Sequence, residues 1–297
     1  MSPAAEPVEP TAPHLRRSAA HRLRAAGVPS PERDADLLLA HVLGVDSNRL
    51  LLVDRVTADQ HRRYDALVER RADREPLQHL TGVAHFRHVD LAVGPGVFVP
   101  RPETELLAGW AIEQAELISR AAGDRPTVVD LGTGSGAIAK AVADELPDAR
   151  VHAVELDELA HDWAARNLAG TGVDLRQGDL STAFEDLAGE VDVITCNPPY
   201  IPLGAWESVD PEARDHDPAL ALWSGVDGLD AIRLLERRAS TLLRPGGLVG
   251  AEHADQQGES APAVFAGTGR WVQITDHPDL AGRPRFVTAR RTGTMTP

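Results

Sequence analysis

The sequence predicts a two-part protein in which a small helical bundle precedes a larger α/β domain built on a parallel sheet. Three observations carry this prediction. Apolar residues recur at helical spacing from His14 to about Arg74, and the period changes to alternation between Glu75 and Val99. After Asp130, strand-like and helix-like segments alternate. Such alternation is typical of a parallel sheet covered by helices on both faces.

Composition and charge narrow the class of function. At 297 residues and 42% hydrophobic content, the chain can form one large domain and a smaller one around a proper core. The net charge of −15 argues against a broad nucleic-acid surface, because such a surface needs basic residues to neutralise phosphates. The single cysteine, Cys196, lies in a predicted buried strand and is expected to be a core residue. No signal peptide or membrane-spanning run is visible, so we expect a cytoplasmic protein.

The N-terminal segment is predicted to be helical after a short tail. Residues 1–13, rich in Pro, Ala and Glu, are expected to form a disordered tail. In residues 14–75 one helix ends at Gly27, the next ends at Gly44, and Thr57 and Asp59 are candidate N-caps for a third. This domain is either a packing module or a recognition domain for a macromolecular substrate, and the residues alone leave both readings open.

A hairpin linker and a proline-rich entry into a helix follow the bundle. Residues 76–100 contain alternating apolar residues and glycine turn points, which predict the hairpin. His85 and His88 would face opposite sides of a strand, so we predict no metal site. Residues 98–105 enter the next helix through two prolines, with acidic residues in its first turn. Acids there favour the helix dipole, while the apolar residues before them could close over a ligand.

Glycines at every second position follow the first strand of the predicted sheet. Gly132, Gly134 and Gly136 stand between an apolar run and a predicted helix, and Glu155 ends the next strand roughly 20 residues on. Glycines let a ligand approach the backbone closely, and a carboxylate at that distance can accept hydrogen bonds from both hydroxyls of a ribose. The spacing differs from that of dinucleotide-binding loops. With Asp130 before it, it resembles the nucleoside-binding loop of class I methyltransferases that use S-adenosylmethionine.

A second motif ends a later strand. The apolar run 191–196 is followed by Asn197-Pro198-Pro199-Tyr200. Proline lacks an N–H and has a fixed φ, so the segment is rigid and its carbonyls lack local partners. The side-chain oxygen of Asn197 and the aromatic face of Tyr200 add an acceptor and a wall, which together suit a planar group bearing an NH2. The alternative interpretation is a strand stop followed by a proline turn.

The remaining elements complete the predicted sheet. A third strand ends at Asp179 and Leu180, and residues 215–222 are predicted to form a polar loop before a helix at about 229–243. Strands are expected at 248–252, 271–275 and 286–290. Because ligands bind at the carboxyl ends of parallel strands, all of these motifs are expected to meet at one edge of the sheet.

Together these motifs resemble those of the release-factor glutamine methyltransferases. That family methylates the side-chain amide of the glutamine in the Gly-Gly-Gln motif of class I peptide chain release factors. The markers are residues 75–78 with 80–82, 98–105, 130–136, 197–201, and 252–253 with 256–259. Their combination is more specific than any one of them, since Asn-Pro-Pro-Tyr also occurs in adenine-directed DNA methyltransferases.

The resemblance implies an architecture and a set of site residues. The architecture is a seven-stranded Rossmann-like class I methyltransferase sheet in residues 101–297, with a hairpin linker at 76–100 and a helical substrate-recognition domain at 14–75. The implied cofactor is S-adenosylmethionine, leaving as S-adenosylhomocysteine. Carried over by position, and with Asp179 added, the cofactor residues are Gly132, Thr133, Gly134, Ser135, Gly136, Glu155, Asp179, Leu180 and Asn197. The substrate-binding residues are Asn197, Pro198, Pro199 and Tyr200, of which Asn197, Pro198 and Tyr200 are catalytic.

The sequence departs from the family pattern at three positions. Glu155 stands where many relatives have aspartate, Leu180 where an aromatic is common, and Asp217 before a proline where glutamate is usual. None of them removes a group that the chemistry needs.

The expected partners are class I release factors, without direct nucleic-acid or membrane contact, and the expected state is a monomer. Three alternatives remain open at this point. The acceptor could be a glutamine of a ribosomal protein or an exocyclic base amine, or the chain could bind S-adenosylmethionine without transferring its methyl group.

Overall fold

The computed structural model describes residues 11–293, so residues 1–10 of the predicted tail at 1–13 lie outside the described residues. The end of that tail was predicted wrongly, because a helix begins at Ala12, which is buried. The described chain forms two compact units. The first contains the residues up to Gly82 together with Pro211–His216, and the second contains Val83–Asp210 and the chain from Asp217 onward.

Helices and strands have the following bounds. The helices are α1 Ala12–Ala25, α2 Pro31–Leu43, α3 Ala58–Ala72, α4 Leu77–Thr81, α5 Thr104–Ala122, α6 Ala137–Glu145, α7 Glu158–Leu168, α8 Pro211–His216, α9 Ala219–Leu222, α10 Asp230–Leu242 and α11 Ser260–Ala266. The strands are β1 Val83–Phe86, β2 Val89–Ala92, β3 Thr127–Leu131, β4 Arg150–Glu155, β5 Asp174–Gln177, β6 Val191–Cys196, β7 Leu243–Glu252, β8 Trp271–Pro278 and β9 Pro284–Arg291.

The predicted helical bundle is confirmed in the first unit. Gly44 ends α2 with a φ of 66°, a value that glycine adopts without strain. Of the two candidate N-caps, Thr57 caps α3 and Asp59 lies inside the helix. The hydroxyl of Thr57 accepts from the backbone N–H of Gln60, and the N–H of Thr57 donates to the side-chain oxygen of Gln60. Tyr64 is buried among the helices and donates its hydroxyl hydrogen to the carbonyl of Ala35 at 3.0 Å.

The first unit also includes α8, which comes from far along the chain. Arg71 of α3 is buried and donates to Asp34 at 2.8 Å and to Glu212 of α8 at 2.7 Å. The prediction of a polar loop at 215–222 was wrong in part, because α8 ends in this stretch and α9 occupies Ala219–Leu222. Both helices begin beside a proline, and proline suits the first turn because no donor is needed there.

The hairpin predicted within residues 76–100 is present. Strands β1 and β2 pair antiparallel, with Phe86 opposite Val89 next to the turn. Phe86 and Leu91 are buried in the core of the second unit, while α4, at the start of the predicted linker, belongs to the first unit. The division between the two units therefore falls between Gly82 and Val83.

The second unit is built on the predicted seven-stranded sheet. Its order is β5-β4-β3-β6-β7-β9-β8. The first five strands in this order are parallel, while β9 runs antiparallel to both of its neighbours. The chain winds outward in one direction from β3 and in the other from β6, so the topological switch point lies between these two strands. Ligands bind at such a point in open α/β sheets.

Two apolar cores cover the two faces of this sheet. One contains α5, α6 and the hairpin, and the other contains α10, α11 and the opposite faces of the central strands. All six residues of β6 are buried, including Cys196, whose expected place in the core is confirmed. Burial raises the pKa of the Cys196 thiol well above its ordinary value, as expected for a cysteine that acts as a small apolar side chain.

Candidate active site

The glycine loop follows β3 directly at the switch point. Gly132, Gly134 and Gly136 all have positive φ, between 58° and 84°, which explains their recurrence at every second position. A Cβ added at Gly132 or Gly134 would meet no atom within 4 Å, so the loop backbone faces open space there. A ligand can therefore approach the main chain at these two residues.

Buried polar side chains hold this loop in place through hydrogen bonds. Asp130, the last residue but one of β3, accepts from Thr133 at 2.6 Å and from Thr195 of β6 at 2.8 Å. Burial raises the pKa of Asp130 to about 6 even though both hydroxyls favour its charged form. The amide of Asn167 donates to the carbonyl of Ser135 at 2.9 Å. Asp130 therefore ties the glycine loop to the neighbouring strand.

Glu155 ends β4 beside the glycine loop, as predicted. One of its carboxylate oxygens accepts from the backbone N–H of Gly134 at 2.8 Å. The other accepts from the N–H groups of Leu156 and Asp157 at 2.8 and 2.9 Å. Each carboxylate oxygen has two lone pairs, so the oxygen at Gly134 keeps acceptor capacity beside the loop.

The third strand end lies next to Glu155 in the sheet. The N–H of Gly178 donates to the carbonyl of Glu155 at 2.9 Å, which places the turn after β5 against the end of β4. Asp179 is exposed and accepts from the N–H of Ser181 at 2.8 Å. Leu180 packs against the second apolar core. This turn presents an apolar surface and an acid at the same edge as the glycine loop.

The Asn-Pro-Pro-Tyr motif leaves the end of β6, the strand that pairs with β3. Pro198 is buried, and Asn197 is partly exposed. The side-chain NH2 of Asn197 donates to the hydroxyl of Thr104 at 3.2 Å. The carbonyl of Tyr200 accepts from the side chain of Gln257 at 3.1 Å, and Gln257 also donates to the carbonyl of Asp227 at 3.2 Å. These contacts hold the Asn197 side chain at the start of the motif and the backbone at its end.

Close backbone packing explains a glycine that the motif analysis did not single out. Gly228 has a φ of 76°, and a Cβ added there would come within 2.3 Å of the carbonyl of Tyr200. Beyond the motif the chain pairs with the segment before Gly228, since the N–H of Ile201 donates to the carbonyl of Leu222 at 2.9 Å. Glycine at 228 therefore keeps this segment against Tyr200.

Sequence reasoning did not assign a role to Thr104, Glu252 or Gln257. The hydroxyl of Thr104 donates to Glu252 at 2.7 Å, and the hydroxyl of Tyr200 donates to the other oxygen of Glu252 at 3.2 Å. Burial, followed by the charge of Glu252, raises the pKa of Tyr200 above its usual range. A signal was present, because all three residues lie in segments that mark the family, 98–105, 252–253 and 256–259.

The side chain of Asp217, one of the three departures from the family pattern, is completely buried. It accepts from Arg101 at 3.0 Å, and the guanidinium of Arg101 also lies 5.1 Å from the ring centre of Phe98. Asp217 therefore joins the segment beyond the Asn-Pro-Pro-Tyr motif to the proline-rich entry into α5.

The sheet order brings the predicted site residues to one edge. The carboxyl ends of β5, β4, β3 and β6 carry Leu180, Glu155, the glycine loop and Asn197 respectively, and these strands are successive neighbours. A glycine-lined backbone with an adjacent carboxylate can hold a nucleoside-like group. The acceptors of Asn197 and Pro198 stand at the end of the strand next to it, where they can receive an NH2-bearing group.

Comparisons with known proteins agree with this geometry. A family model described as the PrmC N-terminal domain matches residues 14–82, and a model of the methyltransferase small domain matches residues 115–206. The release factor glutamine methyltransferase of Streptomyces coelicolor is 58% identical over 92% of this chain and 95% of its own length. The chain belongs to the release factor glutamine methyltransferase family.

Family membership does not restrict every relative to one substrate. A protein named 4-amino-L-phenylalanine/4-methylamino-L-phenylalanine methyltransferase, from Streptomyces pristinaespiralis, is 40% identical over 97% of this chain and 98% of its own length. Among solved structures, the hMettl16 catalytic domain in complex with the MAT2A 3'UTR hairpin 6 has a TM-score of 0.53 at 13% identity. The match covers 69% of this chain and 76% of that one, and it supports the methyltransferase fold alone. Among residues 11–293, every helix falls short of the length and apolarity that spanning a membrane requires.

Proposed function

We propose that this protein transfers the methyl group of S-adenosylmethionine to the side-chain amide nitrogen of the glutamine in the Gly-Gly-Gln motif of class I release factors. The observation that carries the proposal is the pairing of β3 with β6 at the switch point. It puts the glycine loop and the Asn197-Pro198 acceptors on adjacent strand ends. The name of the relative that is 58% identical supports the same substrate class.

The residues present fit the cofactor. The main chain at Gly132 and Gly134 is open to a ligand, and Glu155 keeps acceptor capacity next to it for the ribose hydroxyls. Leu180 offers an apolar surface at the neighbouring strand end for the adenine. When bound, S-adenosylmethionine supplies an electrophilic methyl group on a positively charged sulfur.

The acceptor side of the site acts on a poor nucleophile. The lone pair of an amide nitrogen is delocalised into the carbonyl, and positive charge develops on the nitrogen as the new bond forms. In our proposal the Asn197 side-chain oxygen and the Pro198 carbonyl accept hydrogen bonds from the two amide hydrogens, which orients the lone pair and stabilises that charge. Tyr200 stacks on the amide plane. The chain needs no strong base, because the methylated amide is acidic enough to lose its proton afterward.

Replacing Glu155 with alanine is expected to raise the dissociation constant for S-adenosylmethionine by about 10- to 100-fold, the value of one lost hydrogen bond to a charged group. The change removes both the ribose acceptor and the contact that holds the N–H of Gly134. Isothermal titration calorimetry measures the dissociation constant of each variant for S-adenosylmethionine. Glu158→Ala, an exposed acid of the next helix, is the matched control and should bind the cofactor normally. Equal affinities for the two variants would contradict the assignment of Glu155.

Intact-peptide mass spectrometry tests the proposed reaction. A purified class I release factor from the same cell is incubated with the protein and S-adenosylmethionine, digested and mapped. We expect one added methyl group on the glutamine of Gly-Gly-Gln and none on a release factor in which this glutamine is replaced by alanine. Methylation elsewhere, or no methylation by a protein that binds the cofactor, would reject the substrate.

An aromatic amine of an amino acid is the second candidate substrate. The specific observation is the 40% identical relative from Streptomyces pristinaespiralis, which matches this chain over nearly its whole length. Two acceptors beside an aromatic wall also suit a primary amine on a ring. We rank this candidate lower because the release factor relative is more similar, at 58% identity. Offering 4-amino-L-phenylalanine and the release factor in separate reactions distinguishes the two by which of them gains a methyl group.

A further inference from the structure

A chain of hydrogen bonds through two buried residues, Thr104 and Glu252, ends at the side chain of Asn197. Asn197 donates to Thr104 at 3.2 Å, and Thr104 donates to Glu252 at 2.7 Å. Thr104 and Glu252 are 3% and 1% exposed, so water cannot replace either bond. Their burial leaves them outside the group of residues that can contact substrate or cofactor.

The packing of α5 on β7 brings these residues together. Gly250 and Glu252 lie on the same face of β7, because side chains alternate along a strand. A Cβ at Gly250 would come within 2.7 Å of both Trp110 and Leu107 of α5, so glycine lets the helix lie close to the strand. Thr104 is one helical turn before Leu107, and this turn lies over Glu252.

The number of hydrogens that Thr104 and Glu252 can donate determines which way the Asn197 amide points. A carboxylate only accepts, and the hydroxyl of Thr104 has one hydrogen, which goes to Glu252. Thr104 can then only accept from Asn197, and the group that donates must be the side-chain NH2. The oxygen of Asn197 is therefore turned away from Thr104. A flipped amide would place two oxygens against each other at Thr104 without a hydrogen between them.

We propose that Thr104 and Glu252 are positioning residues that hold the Asn197 side chain with its oxygen toward the substrate. The inference rests on the proposed role of Asn197 as an acceptor and adds what orients it. Without the two residues, the amide can present its NH2 to the NH2 of the substrate, and two donors repel. The glycine loop and Glu155, to which we assign the ribose end of the cofactor, are held by other contacts.

The chain of hydrogen bonds requires the ionised form of Glu252. Burial raises the pKa of Glu252 to about 6, and Thr104, Arg285 and Tyr200 act against that rise. The titratable groups that face Glu252 are Tyr200, Arg285, Glu103 and Cys196. Once protonated, Glu252 can donate to the hydroxyl oxygen of Thr104. The hydroxyl hydrogen of Thr104 can then go to the side-chain oxygen of Asn197, which favours the flipped amide. We therefore expect kcat to increase as the pH rises through about 6.

Two substitutions of Thr104 test the proposal by kinetics. Thr104→Val removes the hydroxyl at nearly equal volume and should lower kcat by about 10- to 100-fold, the cost of a misplaced catalytic group. Thr104→Ser keeps the hydroxyl and should restore kcat to within about threefold of the natural protein. Affinity for S-adenosylmethionine should stay within about twofold in both variants, since only transition-state contacts change. Equal losses in Thr104→Val and Thr104→Ser would overturn the proposal.

Replacing Glu252 with glutamine is a second kinetic test of the positioning role. The amide of Glu252→Gln can donate to Thr104, so kcat should fall as in Thr104→Val, and the acid limb of the pH profile should disappear. The side-chain oxygen of glutamine can still accept from the hydroxyl of Tyr200, so only the contact with Thr104 changes. Both substitutions then act through Asn197, and the double variant should lose no more activity than the more impaired single variant. An unchanged acid limb in Glu252→Gln, or additive losses in the double variant, would overturn the proposal.

Nuclear magnetic resonance separates this inference from the proposed substrate. Asn197→Ala identifies the side-chain amide signals of Asn197 by their loss from the nitrogen–hydrogen correlation spectrum. Thr104→Val should shift those signals in the free protein, whether or not any release factor is methylated, and Thr104→Ser should leave them near their original position. Unshifted Asn197 signals in Thr104→Val would overturn the positioning role. A release factor without added methyl would reject only the substrate.

Discussion

Replacing Asn197 with alanine is expected to lower kcat for methyl transfer by about 10²- to 10³-fold, as the removal of one preorganised transition-state hydrogen bond does in other enzymes. The side-chain oxygen of Asn197 is the acceptor that we assign to the amide hydrogen of the substrate. It contributes while positive charge develops, so affinity for the cofactor should change little. Single-turnover kinetics beside calorimetric titration of S-adenosylmethionine measures both quantities.

Two further variants sharpen this test. Asn197→Asp should also fail, because a carboxylate beside the positively charged sulfur favours the bound ground state and is costly to desolvate. Asn48→Ala removes an exposed asparagine from the first unit and should leave turnover unchanged. A parallel loss of turnover and cofactor affinity in Asn197→Ala would instead assign Asn197 to cofactor binding alone.

Replacing Arg71 with alanine is expected to destabilise the first unit by about 3–5 kcal/mol, the cost of leaving one member of a buried ion pair without its partner. The side chain of Arg71 is 4% exposed and joins Asp34 to Glu212. Burial already raises the pKa of Asp34, and the hydrogen bond from Arg71 lowers it. Without Arg71 that pKa rises further. The protein then loses stability as the pH rises through the pKa of Asp34, so Arg71→Ala should destabilise the first unit more at pH 8 than at pH 5.

The position of the tryptophans makes this measurement specific. All five tryptophans lie in the second unit, so their fluorescence reports that unit. Hydrogen exchange in peptides from α1 to α3 reports the first. Arg62→Ala, which breaks an exposed pair with Asp59, is the matched control and should cost at most about 1 kcal/mol. Equal protection in the two variants would show that the buried pair contributes nothing to stability.

Local signals were sufficient for the parts of the site that one segment forms alone. Alternating glycines predicted a loop in which each glycine needs a positive φ, and all three have one. An apolar run ending in Asn197-Pro198 predicted a buried strand with acceptors at its tip, and β6 has those bounds. Thr57, one of two candidate N-caps, could be found from sequence because capping involves residues only a few positions apart.

Sequence by itself therefore determined the motifs, the alternation that produces the sheet, and the family. Tertiary structure alone decided which distant groups meet. Thr104 and Glu252 are separated by 148 positions, and Arg71 and Glu212 by 141. No local period encodes such partners, because they depend on the order of the strands and on how closely a helix can pack over a glycine. The orientation of Asn197 follows from those contacts, which is why the residues that hold it were found only in the folded chain.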